Sequence, residues 1–540
     1  VRPCADPKHG DYQSNALMAL AKKRQMNPRQ LADQVVGVLD LSEICESVEI
    51  AGPGFLNFKL KASVIEEVLV SALEQNCPFV KRAEQPCTVV IDFSSPNVAK
   101  PMHVGHIRST ILGDSLARVM RLMGHEVISD NHIGDWGTQF GILLLGWKTI
   151  LNEDALEKDA ITELGRLYKE INANESLRKN ARAELVKLQQ SDEENIVIWR
   201  RMIALSQEQF DLLYGRLGIR FNETLGESFY NPFLDETVNQ LQERHIAEES
   251  EGALIVRFPG DKQLEDKPAI VQKSDGAANY TTTDLATLEY RLKEWSPSKI
   301  VYVTDGRQQL HFQQLFSIFR RWRPGLEVDL EHVWFGSILG PDGKPFKTRS
   351  GQTVRLSDLL DEAEERAFNA VTQKNPELNE TERREIARVI GLGALKYADL
   401  SNNRQSDYVF DWDKMLALQG NTAPYLQYAY TRVRSIFRKA EVPDWKKATI
   451  HLKNKEELSL AMHLMDFGHT LEMVAEDYRP NYLCNYLFEL AGRFSRFYEA
   501  CPVLKAEEEK QQSRLALCEL TARVLREGLN VLGIEVTEVM

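Results

Sequence analysis

Apolar and polar positions along the chain fall into two regimes. Up to about residue 355, short apolar runs of strand length alternate with stretches of helical period. Thr88–Phe93 is one such run. After a polar loop, Ile107, Ile111, Leu112, Leu116, Val119, Met120 and Met123 recur every three or four residues, which predicts a helix. A second strand starts at Glu126 and runs into a loop rich in Gly, Asp and His that ends near Gly141. Strand–helix–strand of this length predicts a parallel pair, with both polar loops at the carboxyl edge where ligands bind. The pattern resumes with Ala253–Phe258, Ala269–Gln272, a helix starting near Asn279, and Lys299–Thr304, an unbroken apolar strand of the kind buried in parallel sheets. A last strand-like run covers His332–Leu339. From about 356 to 540 strand patterns disappear and helices dominate.

Two further stretches complete the division. Residues 1–82 read as a small α+β unit, with helices from Ala16 and after Asn27-Pro28, then strand, Gly/Pro turn and strand over Val48–Leu60. Residues 151–225 are helical and densely charged, with periodic Leu164, Leu167, Ile171, Leu205, Phe210, Leu213 and Leu217, and read as an insertion without chemistry of its own. The expected domains are therefore 1–82, 83–355 with that insertion, and 356–540, consistent with 540 residues being too long for one core.

Composition narrows the setting. Hydrophobic residues at 43% and charged residues at 27% are ordinary for a soluble globular chain, and no apolar run is long enough to cross a bilayer. The start, Val-Arg-Pro-Cys-Ala-Asp, has no apolar signal region, and the missing initiator Met predicts a native N-terminus upstream. Seven cysteines without a CxxC pair argue against a zinc ribbon or disulfide framework and for a reducing, cytoplasmic location. A net charge of −13 argues against indiscriminate coating of nucleic acid, but not against gripping one RNA through local basic surface.

The densest chemistry is Ser94-Ser95-Pro96-Asn97-Val98-Ala99-Lys100-Pro101-Met102-His103-Val104-Gly105-His106. His103 and His106 are expected on one face of the helix's first turn, where unpaired N–H groups and a partial positive charge suit phosphate. Gly105 would let a ligand approach the backbone between them. Packing or capping accounts equally well for an isolated pair of this spacing. The stretch Gly340–Gly351 holds three cations and three glycines in twelve residues and suits polyphosphate, with a solvated hairpin tip as the plainer reading. Phe55, Asn57 and Lys59 share one face of a strand, which suits an RNA loop or a half-exposed sheet. Tyr425 and Tyr428, at i,i+3 beside Arg432, Arg434 and Arg438, suit stacked bases or an aromatic core stripe.

Together these residues resemble class I arginyl-tRNA synthetases of the bacterial type, over nearly the whole chain. His103-Val104-Gly105-His106 is similar to the HIGH element of that class, Lys344–Gly351 sits where the class carries its KMSKS loop, and Gly134-Asp135-Trp136-Gly137-Thr138-Gln139-Phe140-Gly141 is similar to a second family segment. The resemblance implies a multidomain α/β fold: a Rossmann-like parallel-sheet catalytic domain, an additional α+β N-terminal domain that contacts the tRNA elbow, and an all-helical C-terminal anticodon-binding domain. It implies arginyl-adenylate formation from arginine and ATP, then transfer to the 3′ end of tRNA(Arg), with activation requiring bound tRNA. Mg²⁺ would accompany ATP, held mainly by phosphates and water, with no zinc. The chain would act as a monomer away from membranes.

By position, the resemblance implies roles for individual residues. His103 and His106, with Lys100, Lys347 and Arg349, would act on the phosphates, and Gly105, Lys344, Phe346 and Gly351 would also bind ATP. Asp92 and Asp284 would hold the guanidinium, assisted by the Tyr280 hydroxyl, while Ser95, Asn97 and Gln308 bind the α-amino end. Phe55, Asn57, Tyr425, Tyr428, Arg432 and Met540 would face tRNA. The departure lies in the second signature: Phe346-Lys347-Thr348-Arg349 aligns with Met-Ser-Lys-Ser, so Thr348 stands where the usual lysine does and Lys100 becomes the candidate cation. A cofactor adenylyltransferase would not need the helical C-terminal part, and a catalytically silent tRNA-binding protein would be free to lose His103, His106 and Lys100.

Overall fold

The computed structural model describes residues 1–4, 6–346, 354–440 and 448–540. Lys347, Arg349 and Gly351 lie outside the described residues. The central sheet has four parallel strands, β1 (Thr88–Phe93), β2 (Glu126–Asp130), β3 (Lys299–Val303) and β4 (Asp329–His332), in the order β4-β3-β1-β2. Six helices position the site: α1 (Val104–Leu122), α2 (Glu193–Leu217), α3 (Tyr280–Trp295), α4 (Gln309–Trp322), α5 (Glu380–Leu400) and α6 (Ala423–Lys439).

Both faces of the sheet are buried, which is why its strands read as apolar runs and not as alternations. Val89, Ile91, Phe93, Val301 and Val303 belong to the main core together with Ile107, Ile111 and Leu112 of α1. A Cβ on Gly113 would sit 2.2 Å from the Phe93 ring, so the glycine permits the close approach of α1 to β1. Val90, Ile300 and Leu330 pack in a second core with Leu285 and Leu288 of α3 and Phe312, Leu315 and Phe319 of α4.

Two strand expectations change. His332–Leu339 is not one strand: β4 ends at His332, and the chain then leaves the sheet, with Ile338–Leu339 pairing in parallel with Tyr408–Val409. Gly336 marks the departure, because a Cβ there would collide with Ser406 and Asp407. Ala253–Val256 and Ala269–Gln272 form a separate antiparallel sheet with Glu248–Ser250. The two residues between Ser250 and Ala253 allow only a hairpin, and residues 257–268 hold no helix to carry a parallel crossover.

In the N-terminal unit, Arg2–Pro3, Tyr12–Ser14, Phe55–Leu60 and Cys45–Ala51 form an antiparallel sheet over a small core of Ala32, Cys45, Leu56 and Phe58. Asn57 is the correction here. It is 3% exposed and accepts a hydrogen bond from Gln13 Nε2 at 2.8 Å, so the side chain is covered by its cross-strand neighbour and not open to a nucleic acid. Alternation gives the face that Asn57 takes, away from Leu56 and Phe58, but not the neighbour that covers it there. Phe55 is half-buried. The helix Ala62–Glu74 contributes Ile65, Leu69, Ala72 and Leu73 to the main core instead.

Arg108 of α1 ties the sheet to the helical part. Its guanidinium is 2% exposed, lies 3.1 Å from Asp399 of α5, and donates to the carbonyls of Gly336, Arg404 and Ser406. Burial raises the Asp399 carboxyl, and the Arg108 charge opposes that. Removing one partner of a buried pair costs about 3–5 kcal/mol, because the other charge is left uncompensated. Arg108→Met is therefore expected to move the urea unfolding midpoint clearly downward. A midpoint equal to the unsubstituted protein's would show that this pair does not hold α1 to α5.

Candidate active site

In-register pairing across the carboxyl edge of the sheet lines up Asp130, Asp92, Tyr302 and His332, a polar row on an otherwise apolar face. Arg291 of α3 lies against this row with no solvent exposure. Its Nη2 donates to Asp92 Oδ2 at 2.6 Å and to Asp130 Oδ2 at 2.7 Å, and its plane lies 5.3 Å from the Tyr302 ring centre. Burial pushes the Asp130 carboxyl up, with Arg291 opposing, and the two carboxylates push the Arg291 guanidinium well up against its own burial. The second Asp92 oxygen accepts from Ser95 Oγ at 3.0 Å. Both oxygens of Asp92 therefore carry protein donors, and its charge is met within the protein. The expectation that Asp92 holds the guanidinium gives way on this geometry. The carboxylate instead takes the Ser95 proton and leaves the Ser95 oxygen free to accept.

The loop above is strained and held from several sides. Ser94, Ser95 and Ala99 have φ of 73°, 47° and 60°, a conformation costing non-glycine residues about 1–3 kcal/mol each. Ser94 N–H donates to Ser109 Oγ, Ser95 N–H to Asn131 Oδ1, and Ala99 N–H to Ser206 Oγ of α2. Tyr214 of α2 lies 2.8 Å from Ser94 Oγ, and Trp199 of α2 donates to the Asp135 carbonyl. The helical insertion, expected to carry no chemistry, thus buttresses the loop. Two backbone bonds, Val98 N to Gly134 O and Gly134 N to Pro96 O, join the two polar loops. Asn97 is left exposed between them.

His103 is the N-cap of α1 and not part of its first turn. Its Nδ1 accepts the Gly105 N–H at 3.0 Å, while His106 Nδ1 accepts the His103 N–H at 3.1 Å. With both Nδ1 atoms accepting, each ring carries its proton on Nε2, free for an incoming acceptor. The ring centres are 4.0 Å apart. Burial lowers both, helped at His103 by Arg307, and brings His106 to about 4. Both are neutral donors near pH 7. A Cβ on Gly105 would lie 2.8 Å from the His103 ring, so this glycine makes room for the imidazole itself.

The chain returns to this corner from far away. Val104 N–H donates to the Val354 carbonyl and Leu356 N–H to the Met102 carbonyl, bracketing His103. Lys344 is exposed in a tight hairpin, with Gly340 N–H donating to its carbonyl at 2.7 Å, and Phe346 stacks on Phe410 at 4.5 Å. The Phe346 ring thus anchors the hairpin. Lys100 is exposed, its ammonium 5.7 Å from the Tyr168 ring centre.

On the far side of the row, Asp284 Oδ2 accepts from His311 Nε2 at 2.5 Å, and Tyr280, 59% exposed, meets the His311 ring edge-on at 4.8 Å. Gln308 is exposed at the entry to α4. Sequence reasoning missed Glu227. Its carboxyl makes no side-chain hydrogen bond or ion pair among the described residues, and burial, then the charges of Asp284 and Asp135 against that of His132, push it up to about 7. The only local signal was an acid between Gly226 and Ser228 in an aromatic segment without helical period.

In the helical part, Tyr428 is 48% exposed, and Tyr425 is half-buried with its ring 5.5 Å from Phe488. Arg432 lies over the Tyr498 ring at 5.3 Å. The chain's end docks on α6 through Tyr430 and Arg434 to Glu538 and Thr431 to the Thr537 carbonyl, and Met540 packs against the Val371–Ile390 cluster.

Three family models match the chain: the catalytic domain of tRNA synthetases class I (R) over residues 68–412, the DALR anticodon binding domain over 426–540, and the arginyl tRNA synthetase N terminal domain over 1–60. The matched catalytic domain, its parallel sheet and the capped histidine pair define a class I aminoacyl-tRNA synthetase. Arginine–tRNA ligase of Chromobacterium violaceum is 47% identical over 100% of this chain and 96% of its own length, and that of Escherichia coli (strain K12 / DH10B) 47% identical over 100% and 95%. Arginyl-tRNA synthetase from Plasmodium falciparum superimposes with a TM-score of 0.86 at 31% identity, covering 99% of this chain and 94% of that one. The Thermus thermophilus enzyme gives 0.84 at 27%, covering 100% and 96%. The chain belongs to the arginyl-tRNA synthetase family.

The capping geometry has a spectroscopic consequence. Because the folded His106 is lowered to about 4 from 6.5, its contribution to stability is complete above about pH 6.5 and is lost as pH falls towards 4. Imidazole nitrogen NMR should show His106 as the Nε2–H tautomer, titrating near pH 4. A midpoint near 6.5 would contradict the buried, capped ring.

Proposed function

We propose that this chain joins L-arginine to its cognate tRNA in two steps: attack of the arginine carboxylate on the α-phosphorus of ATP, releasing pyrophosphate, then transfer of the arginyl group to the tRNA 3′ end. The observation that carries the substrate choice is Glu227, a mostly buried carboxyl beside Asp284 that makes no side-chain hydrogen bond or ion pair among the described residues. A buried carboxylate of this kind is costly until a cation arrives, and a guanidinium offers the planar fork that two carboxylates can share. In this reading Glu227, Asp284 and the Tyr280 hydroxyl take the side chain. Ser95, Asn97 and Gln308, with Asp92 behind Ser95, take the α-amino end.

The first step needs positioning and charge stabilisation more than covalent help. His103 and His106 supply neutral Nε2–H donors from rings fixed at the head of α1 by their bonds to the backbone. Lys100, exposed with its ammonium over the Tyr168 ring, would bring a full positive charge to the phosphates as charge develops. Lys344, Lys347, Arg349 and Gly351 complete the ATP side, with Phe346 anchoring their loop. The family uses ATP, generally with Mg²⁺. No acidic cluster among the described residues would cage a metal, so the ion would enter on the triphosphate and neutralise part of its charge. Tyr425, Tyr428 and Arg432 offer a stacking surface for unpaired anticodon bases, with Met540 as a further apolar contact for them and Phe55 for the tRNA elbow. Arginine activation waits for bound tRNA, which shifts the site towards its competent state. The chain works as a cytoplasmic monomer. Among the described residues no helix is long and apolar enough to cross a membrane.

ATP–pyrophosphate exchange tests the reading directly. Exchange should appear with arginine and cognate tRNA, and not with lysine or glutamate, or without tRNA. Lys100→Ala should lower it about 100-fold, since a transition-state cation is lost. Lysine-driven exchange would reject the substrate, and near-normal exchange in the variant would reject the role of Lys100.

A second outcome follows from the raised Glu227 carboxyl. Its charged form is disfavoured in the fold, so the cost of ionising it is absent below about pH 4.5 and grows as pH rises to about 7. The guanidinium binds the charged form. The KM for arginine in tRNA charging should therefore fall as pH rises through about 7 and level off above. Glu227→Gln should raise the KM roughly tenfold or more and abolish that step. A pH step that survives the substitution would assign it to another group.

A further inference from the structure

We propose that His311 is a positioning residue for arginine recognition, a neutral hydrogen-bond donor that fixes Asp284 and Tyr280 as one unit. The inference rests on the assignment of those two residues to the guanidinium. His311 sits one turn into α4, its side chain 13% exposed. Its Nε2 donates to Asp284 Oδ2 at 2.5 Å, and its ring meets the Tyr280 ring edge-on at 4.8 Å and the Phe312 ring at 5.1 Å. One imidazole thus touches two side chains that lie four residues apart on α3, and it spans from α4 to do so.

The choice of histidine follows from charge. An Asp284 left free at the pocket's mouth would sample several rotamers, and ordering it on binding would cost affinity. A lysine or arginine in its place would order the carboxylate but cancel the charge that the substrate must find. A neutral N–H orients Asp284 and leaves its charge intact. The other ring nitrogen fits this role: Nδ1 is buried with no hydrogen-bond partner, so a proton there would be left without an acceptor, and the tautomer with its proton on Nε2 is the one the surroundings accommodate. The titratable and charged groups around the ring are Asp284 and Tyr280 from α3 and His332 from β4, whose imidazole is lowered to about 4 by burial, then Arg404, then His311 itself. His332 Nε2 is held 2.8 Å from Thr304 Oγ1. The same row that seats Asp92 on Arg291 therefore ends, at its other side, against the group that seats Asp284.

The decisive comparison is between two substitutions in the full chain, assayed by tRNA charging. His311→Phe keeps the ring packing on Tyr280 and Phe312 but removes the donor. His311→Gln keeps a donor and loses the ring. The Phe variant is expected to raise the KM for arginine about ten- to hundredfold, with the KM for ATP unchanged and kcat within a few-fold. The Gln variant should recover most of that loss. In an Asp284→Asn background, His311→Phe should add little further loss, since the group it orients has changed. A Phe variant with an ordinary KM for arginine, a Gln variant no better than Phe, or full additivity with Asp284→Asn would each overturn the proposal. An ordinary KM in Asp284→Asn alone would instead overturn the assignment of Asp284 on which it rests.

Discussion

The ion triad of Arg291, Asp92 and Asp130 is the constraint around which the site is arranged. A guanidinium with no solvent exposure is tolerable only because two carboxylates meet it at 2.6 and 2.7 Å, and one of those carboxylates stands at the last turn of β1 before the strained loop. Through Ser95, Asp92 passes that rigidity into the loop. The sheet register does the rest, because in-line pairing puts Asp130, Asp92, Tyr302 and His332 in one row that a single helix, α3, can cover.

From this follows a division of labour among acids that look equivalent in the chain. Asp92 is matched by a fixed cation and serves geometry. Asp284 is oriented by a neutral donor and keeps its charge. Glu227 has neither among the described residues, and burial raises its proton affinity, with Asp284 and Asp135 adding to that against His132. The head of α1 follows the same economy, with two histidines that spend their Nδ1 atoms on backbone N–H groups and leave their Nε2–H groups unspent. Arg108 then ties that helix to α5 and to the Gly336 carbonyl.

Much of this frame could be read in advance. Thr88–Phe93 has the bounds its apolar run suggested, and the helix after it starts within a residue of the expected place, because a doubly covered parallel strand and an amphipathic helix leave strong periodic marks. What could not be read was partnership. Arg291 lies 199 residues from Asp92 and looks like one more charge in Tyr290-Arg291-Leu292-Lys293, so Asp92 was taken for a carboxylate awaiting substrate. Asn57 obeyed its alternation but met Gln13 across the sheet, which covers it. The insertion, without motif or periodic oddity, proved to carry Ser206 and Tyr214 into the loop's hydrogen bonds. Local pattern records which face a residue takes, and only the fold records what waits on that face.

The central claim is that Asp92 stays with Arg291 while the substrate's guanidinium goes to Glu227 and Asp284. A crystal structure of this chain with bound L-arginine tests it most directly. The account predicts guanidinium nitrogens within hydrogen-bond distance of the Glu227 and Asp284 carboxylates, the α-amino group near Ser95, and the Arg291–Asp92 contact intact. A guanidinium seated on Asp92, with Arg291 turned away and Glu227 left alone, would contradict it.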